Sequence, residues 1–302
     1  MEEINDNTQA DNPQMFSSFK YEIKAMVAHI VLNHPEKRNC LTRDFWRELP
    51  LAVKYSESRG DVRCILIRSE GGMFSAGIDL ALLNALKSLG DDLDVSRRAD
   101  YLRRTILSVQ SSISCLERTL IPVVAAVQGA CIGGALDLIC AADIRIVEEG
   151  TTLTPLEMDL GFVPDLGTVQ RLTAMLPYGV VADWLMDCRS LTGSEAKEIG
   201  FVSRVAKTPQ ELSELGVALA ERIALRSPVA VRGAKELMRF TKAHGVEASL
   251  RYTAAWQSGA FPGDDIDLCF DAKRQKISPS HQPMVDDRNL YGIDDDGRRD
   301  IF

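Results

Sequence analysis

The chain has 302 residues, of which 45% are hydrophobic and 26% charged, with a formal net charge of −8. That length and balance fit one large globular domain, or a domain with an appendage, able to bury a substantial core. The acidic surplus, with no block rich in lysine and arginine, argues against nucleic acid as a partner. No apolar run approaches the ~20 residues that span a bilayer, so no membrane span is expected.

Residues 1–19 are polar and acidic and read as a disordered lead; they match neither a secretory signal nor an arginine-rich transit peptide. Residues 21–33 carry strand composition until HPEKRNC breaks the run. Residues 42–58 read as a helix capped by Thr42, with Phe45, Leu49 and Val53 at helical spacing. CILIR (64–68) and IPVVAAV (121–127) are continuous apolar runs that fit strands buried on both faces. Between them, the turn EGGMFSAG leads into a helix at IDLALLNALKSL, and residues 95–118 form a longer one. QGACIGG reads as a turn, ALDLICAA as the start of a helix and DIRIV (143–147) as a strand. This alternation predicts an α/β fold with crossover connections.

From about residue 165 helices dominate, over 165–175, 178–188, 193–199, 207–226, 228–243 and 246–258. The chain therefore divides into a lead (1–19), an α/β core (20–206), a helical region (207–276) and a polar tail (277–302) that does not end in a peroxisomal SKL-type signal. The seven cysteines contain no C-x-x-C pair, and His29, His34, His244 and His281 are scattered. Reduced thiols in an intracellular protein, and no metal site, are the expectation.

Two glycine turns stand out. FSAGIDL (74–80) and QGACIGGALDL (128–138) each join a strand to a helix, where backbone N–H groups lack partners. Side by side, they can aim two amides at one oxygen. Alone, each glycine needs only to permit a tight turn. A dinucleotide site is a poorer fit, because the G-x-G-x-x-G order is missing. Three acids lie in the same apolar stretch: Asp137, Glu157 and Asp165. Taken singly, Asp137 reads as a helix-dipole partner, Glu157 as a solvated loop charge, and Asp165 as an N-cap bonded near Thr168. Together, beside two amide turns, they can move protons next to a stabilised oxyanion.

On NHPEKRNCL (33–41), GGMFSAGIDL (71–80), residues 121–146, PLEMDLGFVPDLGTVQRL (155–172) and LTGSEAKEIGFVSRV (191–205), the chain from about 21 to 260 resembles the crotonase (enoyl-CoA hydratase/isomerase) superfamily. The trio Asp137, Glu157 and Asp165, with GIDL and SPVAV (227–231), is most similar to the Δ3,5-Δ2,4-dienoyl-CoA isomerases, since hydratases carry a glutamate where Asp137 stands and no acid near 165.

The resemblance implies a crotonase (ClpP-like) fold of repeated ββα units with a C-terminal helical trimerisation region, and a homo-oligomer, trimer or hexamer, assembled through 207–276. It implies an acyl-CoA substrate, no metal or redox cofactor, and a mitochondrial or peroxisomal place in fatty-acid β-oxidation. The carried-over oxyanion donors are the N–H groups of Ile78 and Gly134, and Ala76, Gly77, Ile78, Asp79 and Leu80 line the acyl-CoA site. Glu157 would take the C2 proton and Asp165, in an apolar surround of Phe162, Val163 and Leu166, would deliver one at C6. Asp137 would orient the site, and Lys37 and Arg38 are candidates for the CoA phosphates. An enoyl-CoA hydratase and a non-catalytic scaffold of the same fold are the competing expectations.

Overall fold

The computed structural model describes residues 16–261 and 263–288. In chain order it contains β1 (Lys20–Lys24), β2 (Val27–Leu32), α1 (Arg43–Ser58), β3 (Cys64–Ser69), α2 (Leu80–Lys87), α3 (Val95–Arg118), β4 (Val123–Val127), β5 (Ala130–Ile132) and α4 (Gly134–Cys140). There follow β6 (Ile144–Glu148), β7 (Thr152–Thr154), α5 (Thr168–Thr173), α6 (Tyr178–Met186), β8 (Leu191–Thr192), α7 (Gly193–Glu198) and β9 (Arg204–Ala206). The helices α8 (Pro209–Ala224), α9 (Pro228–Ala260) and α10 (Asp265–Gln275) close the series.

The main sheet has the order β1-β2-β3-β4-β6-β9, parallel throughout except for the antiparallel pair β1 and β2. The single strand expected over 21–33 is therefore a hairpin. Ala25 and Met26 turn it with φ of 48° and 63°, although the chain offers no Asn-Gly or Gly-Gly there to signal the turn.

Alternation along the central strands divides the core into two layers. Ile65, Ile67, Val123 and Ala125 join Phe45, Leu49, Ile113 and Leu116 on one face. Cys64, Leu66, Val124 and Ala126 meet Leu212, Leu219 and Ala220 of α8 on the other. A parallel sheet needs both covers, so α8 is packed on the α/β core. Gly216 lets it approach: a Cβ there would lie 3.3 Å from that of Ala126. Each fully buried large aliphatic side chain contributes about 1.5–3 kcal/mol.

A second sheet, β5-β7-β8, stands beside the first. The chain passes from β4 into β5 through Gly129 (φ 58°), where a Cβ would lie 2.1 Å from the Gly72 carbonyl oxygen. The segment read as the turn QGACIGG thus hides a strand. The succession β4-β5-α4 is one strand-strand-helix unit. The segment after β3 copies it, because Ser75 bridges Cys131 in parallel before α2 begins.

At the C-terminal end, α9 folds back on itself at Gly245 (φ 80°, ψ 173°). The rings of Phe240 and Tyr252 then lie 4.5 Å apart, and the hydroxyls of Thr241 and Ser249 lie 2.6 Å apart. Lys235 pins this hairpin to the body. Its ammonium sits 2.7 Å from Asp143 and donates to the carbonyls of Leu116 and Ile121, both at 2.9 Å.

Of the lead expected over 1–19, residues 1–15 lie outside the described residues, while Phe16 and Phe19 are buried in the core. Of the tail expected from 277, the part to residue 288 lies against the body. Met284 N–H donates to Gly60 O (2.9 Å) and Asp287 N–H to Ser58 O (3.0 Å). Residues 289–302 lie outside the described ones. Among the described residues, no helix is long and apolar enough to cross a membrane.

Candidate active site

Beyond β3 the chain runs along β5. Phe74 and Ser75 N–H donate to Ala130 O, at 3.0 and 3.1 Å, and Ile132 N–H returns a bond to Ser75 O at 3.1 Å. On the other side, Leu41 N–H donates to Gly77 O (2.7 Å) and Asp79 N–H to Leu41 O (3.2 Å). Those two bonds flank Ile78. In extended chain, successive N–H groups point to opposite sides, so the Ile78 amide points away from Leu41, toward α4.

Gly134 is the first residue of α4, and the first amides of a helix have no intrahelical acceptor. The two amides are close neighbours. A Cβ on Gly134 would sit 3.6 Å from Ile78 N, and one on Gly77 would sit 3.3 Å from Gly134 N. The amide pair expected from the two turns is therefore assembled. Gly77 is obligatory: its φ is +85°, and a Cβ would meet Ile132 O at 2.4 Å.

Three further residues of the 76–80 segment separate in role. Ala76 N–H bonds to Arg38 O at 3.0 Å, which brings the exposed Lys37–Arg38 turn to the rim of the site. Asp79 caps α2 by accepting from Ala81 N–H (2.9 Å), and Leu80, the first residue of α2, is 71% exposed.

The Glu157 carboxylate lies against the same turn. Glu157 follows β7 in a loop closed by the amides of Leu160 and Phe162, both bonded to its carbonyl at 3.1 Å. It is 6% exposed and not a solvated loop charge. A Cβ on Gly133 would lie 3.0 Å from its Oε1, so the glycine before the Gly134 amide makes room for this carboxylate. Burial first, then the charge of Asp137, push the Glu157 carboxyl up to about 7, against the amides of Glu157 and Leu156 that favour the charged form.

Asp137 is 1% exposed, and its Oδ1 accepts from both the N–H (2.7 Å) and the hydroxyl (2.6 Å) of Thr168. Burial lifts its carboxyl to about 6, with the Thr168 bonds opposing and Asp165 adding to the rise. Asp137, the acid in the first turn of α4, thus also serves the start of α5. That corrects the capping reading of Asp165, since α5 begins at Thr168 behind Gly167, and the amide in question belongs to Asp137. The helix expected from 165 starts three residues later for the same reason.

Asp165 is half-buried, and desolvation raises its carboxyl above the ordinary range. Of its expected apolar surround, Leu166 is buried and Phe162 half-buried, but Val163 is 59% exposed. The charge of Asp165 acts on both Asp137 and Glu157. Asp165 thus adds to the raised proton affinity of the other two acids, while Glu157 is the one set against the Gly133–Gly134 turn.

Sequence reasoning missed the residues that hold these loops. Gln110 donates to Asp165 O at 2.6 Å. Arg171 donates to Leu166 O (3.0 Å), Ser114 (3.0 Å) and Glu117 (2.7 Å). Gln110, Ser114 and Glu117 lie on one face of α3 at a spacing of i, i+4, i+7, a face that the apolar pattern alone leaves unassigned. Buried Asn39 accepts from His34 N–H (2.8 Å) and donates to Glu70 O (2.9 Å) and Met73 O (3.1 Å), tying two loops under the amides. A cavity of about 420 Å³ lies between α1, α2 and α3, with Trp46, Leu82 and Val109 in its wall and Arg43, Arg47 and Arg104 among its lining.

Two neighbouring backbone amides, with the buried Glu157 carboxylate against Gly133, stand on a β4-β5-α4 frame of the crotonase kind. The enoyl-CoA hydratase/isomerase family model matches residues 22–267, and the chain belongs to that family. It is 37% identical over 254 residues to the peroxisomal Δ3,5-Δ2,4-dienoyl-CoA isomerase of Arabidopsis thaliana, covering 84% of this chain and 91% of the relative. To the mitochondrial enzyme of that name from Rattus norvegicus it is 36% identical over 278 residues, covering 91% and 83%. Among solved structures, an enoyl-CoA hydratase/isomerase family protein from Hyphomonas neptunium superposes with a TM-score of 0.79 at 28% identity, covering 90% of this chain and all of that one.

Proposed function

We propose that this enzyme isomerises 3,5-dienoyl-CoA to 2,4-dienoyl-CoA. The thioester oxygen accepts from the amides of Ile78 and Gly134, where each such donor is worth about 3–4 kcal/mol in the transition state. Glu157 removes a proton at C2, giving an enolate conjugated through both double bonds to C6, with its charge on that oxygen. Asp165 returns a proton at C6, and the double bonds shift by one position. Each positioned proton-transfer group adds about 10²–10⁴-fold. The reaction as written needs no metal or redox cofactor. Lys37 and Arg38, exposed at the rim, are the proposed partners of the CoA phosphates.

The observation that carries this reading is the division of labour among the acids. Asp137 is committed to Thr168, which leaves Glu157 and Asp165 as two separately held carboxyls with raised affinity for protons. A hydratase needs a carboxylate pair around one water, and the bonds at Asp137 disfavour that use. The relatives' names support the same reading, and with it a peroxisomal or mitochondrial setting in fatty-acid oxidation. Exposed Leu250 and Phe270 on the C-terminal helices, with Phe261 just after α9, supply apolar surface for the proposed trimer or hexamer.

The test supplies 3,5-octadienoyl-CoA and follows the ultraviolet band of the conjugated product, with crotonyl-CoA in parallel. Diene formation without hydration supports the proposal. Hydration alone would identify a hydratase, and silence with both a scaffold. Asp165→Asn is expected to lower isomerisation by about 10²–10⁴-fold while leaving acyl-CoA binding nearly unchanged. Near-full turnover in that variant would remove Asp165 from the mechanism.

A further inference from the structure

A second cluster of reactive side chains lies away from the acids, where α10 meets the tail. His281 comes from the tail, and its side chain is 1% exposed. Its Nδ1 lies 3.0 Å from Asp265 Oδ1, and its Nε2 faces the Cys269 sulfur at 3.8 Å. Asp265 and Cys269 are four residues apart on α10 and so share a face. The second Asp265 oxygen accepts from the Ser227 hydroxyl at 2.5 Å, which links the triad to the start of α9. Arg63 holds the tail in place by donating to the His281 carbonyl (2.6 Å) and to Ala224 O (3.3 Å). Of the seven thiols, Cys269 is the exposed one, and Cys64, Cys131 and Cys140 are buried.

We propose that Cys269, His281 and Asp265 form a reactive thiol centre that exchanges with small-molecule disulfides, separate from the isomerisation site. The carboxylate fixes the imidazole with its proton on Nδ1, leaving Nε2 to accept the Cys269 S–H proton. The thiolate attacks one sulfur of a disulfide RSSR. The bond from Cys269 to RS forms, the RS–SR bond breaks, and the departing thiolate takes the proton back from His281. Cys269 is oxidised and the small disulfide reduced, so no further reactant is needed.

The position of Cys269 favours this chemistry over acyl transfer. Its amide lies within α10 and is engaged in the helix, so it cannot serve as the donor that a tetrahedral oxyanion requires. Disulfide exchange passes through no oxyanion.

The experiment treats the full-length protein with glutathione disulfide and follows the mixed disulfide by intact mass and by the mass of the Cys269 peptide. A synthetic peptide spanning residues 265–275 provides the rate of the isolated thiol. Cys269 in the protein is expected to react about tenfold or more faster than the peptide. His281→Ala is expected to fall to the peptide rate and to recover in part on addition of free imidazole, a rescue that loss of the tail's packing would not produce. Isomerase turnover should not change in His281→Ala. A Cys269 rate equal to that of the peptide, or one that His281→Ala leaves unaltered, would overturn the proposal.

Discussion

The carboxylate of Asp137, on α4, holds both the amide and the hydroxyl of Thr168, the first residue of α5, at 2.7 and 2.6 Å. One buried acid thereby fixes the loop that carries Asp165. Removing it in Asp137→Ala leaves two buried donors unpaired, each costing about 1–3 kcal/mol. A loss of about 2–4 kcal/mol in urea denaturation is expected. Asp137→Asn keeps an acceptor for Thr168 and removes the charge that raises the Glu157 carboxyl. Its acidic limb of activity should move to lower pH, and an unmoved limb would break the link between the two acids.

Glu157 sets the pH behaviour of the site. As a base it must be ionised, so kcat/KM should rise with pH through about 7, with the carboxyls titrating as a coupled group. Stability should run the other way. The Glu157 carboxyl is raised from 4.5 to about 7, so between those values the folded chain binds more protons than the unfolded one, and stability falls as pH rises through that window. At about 1.4 kcal/mol per pKa unit, the contribution is at most about 3–4 kcal/mol. Urea midpoints measured from about pH 4.5 to about pH 8 should show the slope, flattened in Glu157→Gln.

Gly77 positions the Ile78 amide. In Gly77→Ala the new Cβ meets Ile132 O at 2.4 Å on a backbone of φ +85°, so the turn must shift. A fall in kcat of about 10²–10³-fold, the usual effect of losing one oxyanion donor, is expected. Gly200→Ala is the control: φ is +83°, with nothing within 4 Å of the new Cβ, so it strains the backbone without touching the site. Equal losses of turnover in both variants would argue against a specific role for Gly77.

Lys235 joins the C-terminal hairpin to the body through Asp143, and burial disfavours the charged form of both partners. Lys235→Ala leaves the Asp143 carboxylate, about a quarter of its side chain exposed at 26%, with the Val123 N–H as its remaining partner, and two main-chain carbonyls without their donor. A destabilisation of about 1–3 kcal/mol is expected by chemical denaturation. An exposed pair such as Arg251–Glu247 should give less than about 1 kcal/mol in the same assay.

The amino-acid sequence by itself determined the parts that depend on neighbours along the chain. The apolar runs CILIR and VVAAV specified buried parallel strands, Thr42 specified the start of α1, and Gly77, Gly133 and Gly134 specified backbone that only glycine can adopt or fit. The motif order was enough to identify the family. Tertiary structure decided which group meets which. Asp137 bonds to a residue 31 positions away, Gln110 reaches across 55 positions to the Asp165 loop, and Arg63 reaches 218 positions to hold the tail. No local period or propensity encodes such pairings, because they arise when sheet order brings distant loops to one edge. The same holds for the raised proton affinities of Glu157 and Asp165. These follow from how much water the folded chain removes around each carboxyl, a quantity fixed only once the two sheets and α3 have closed around them.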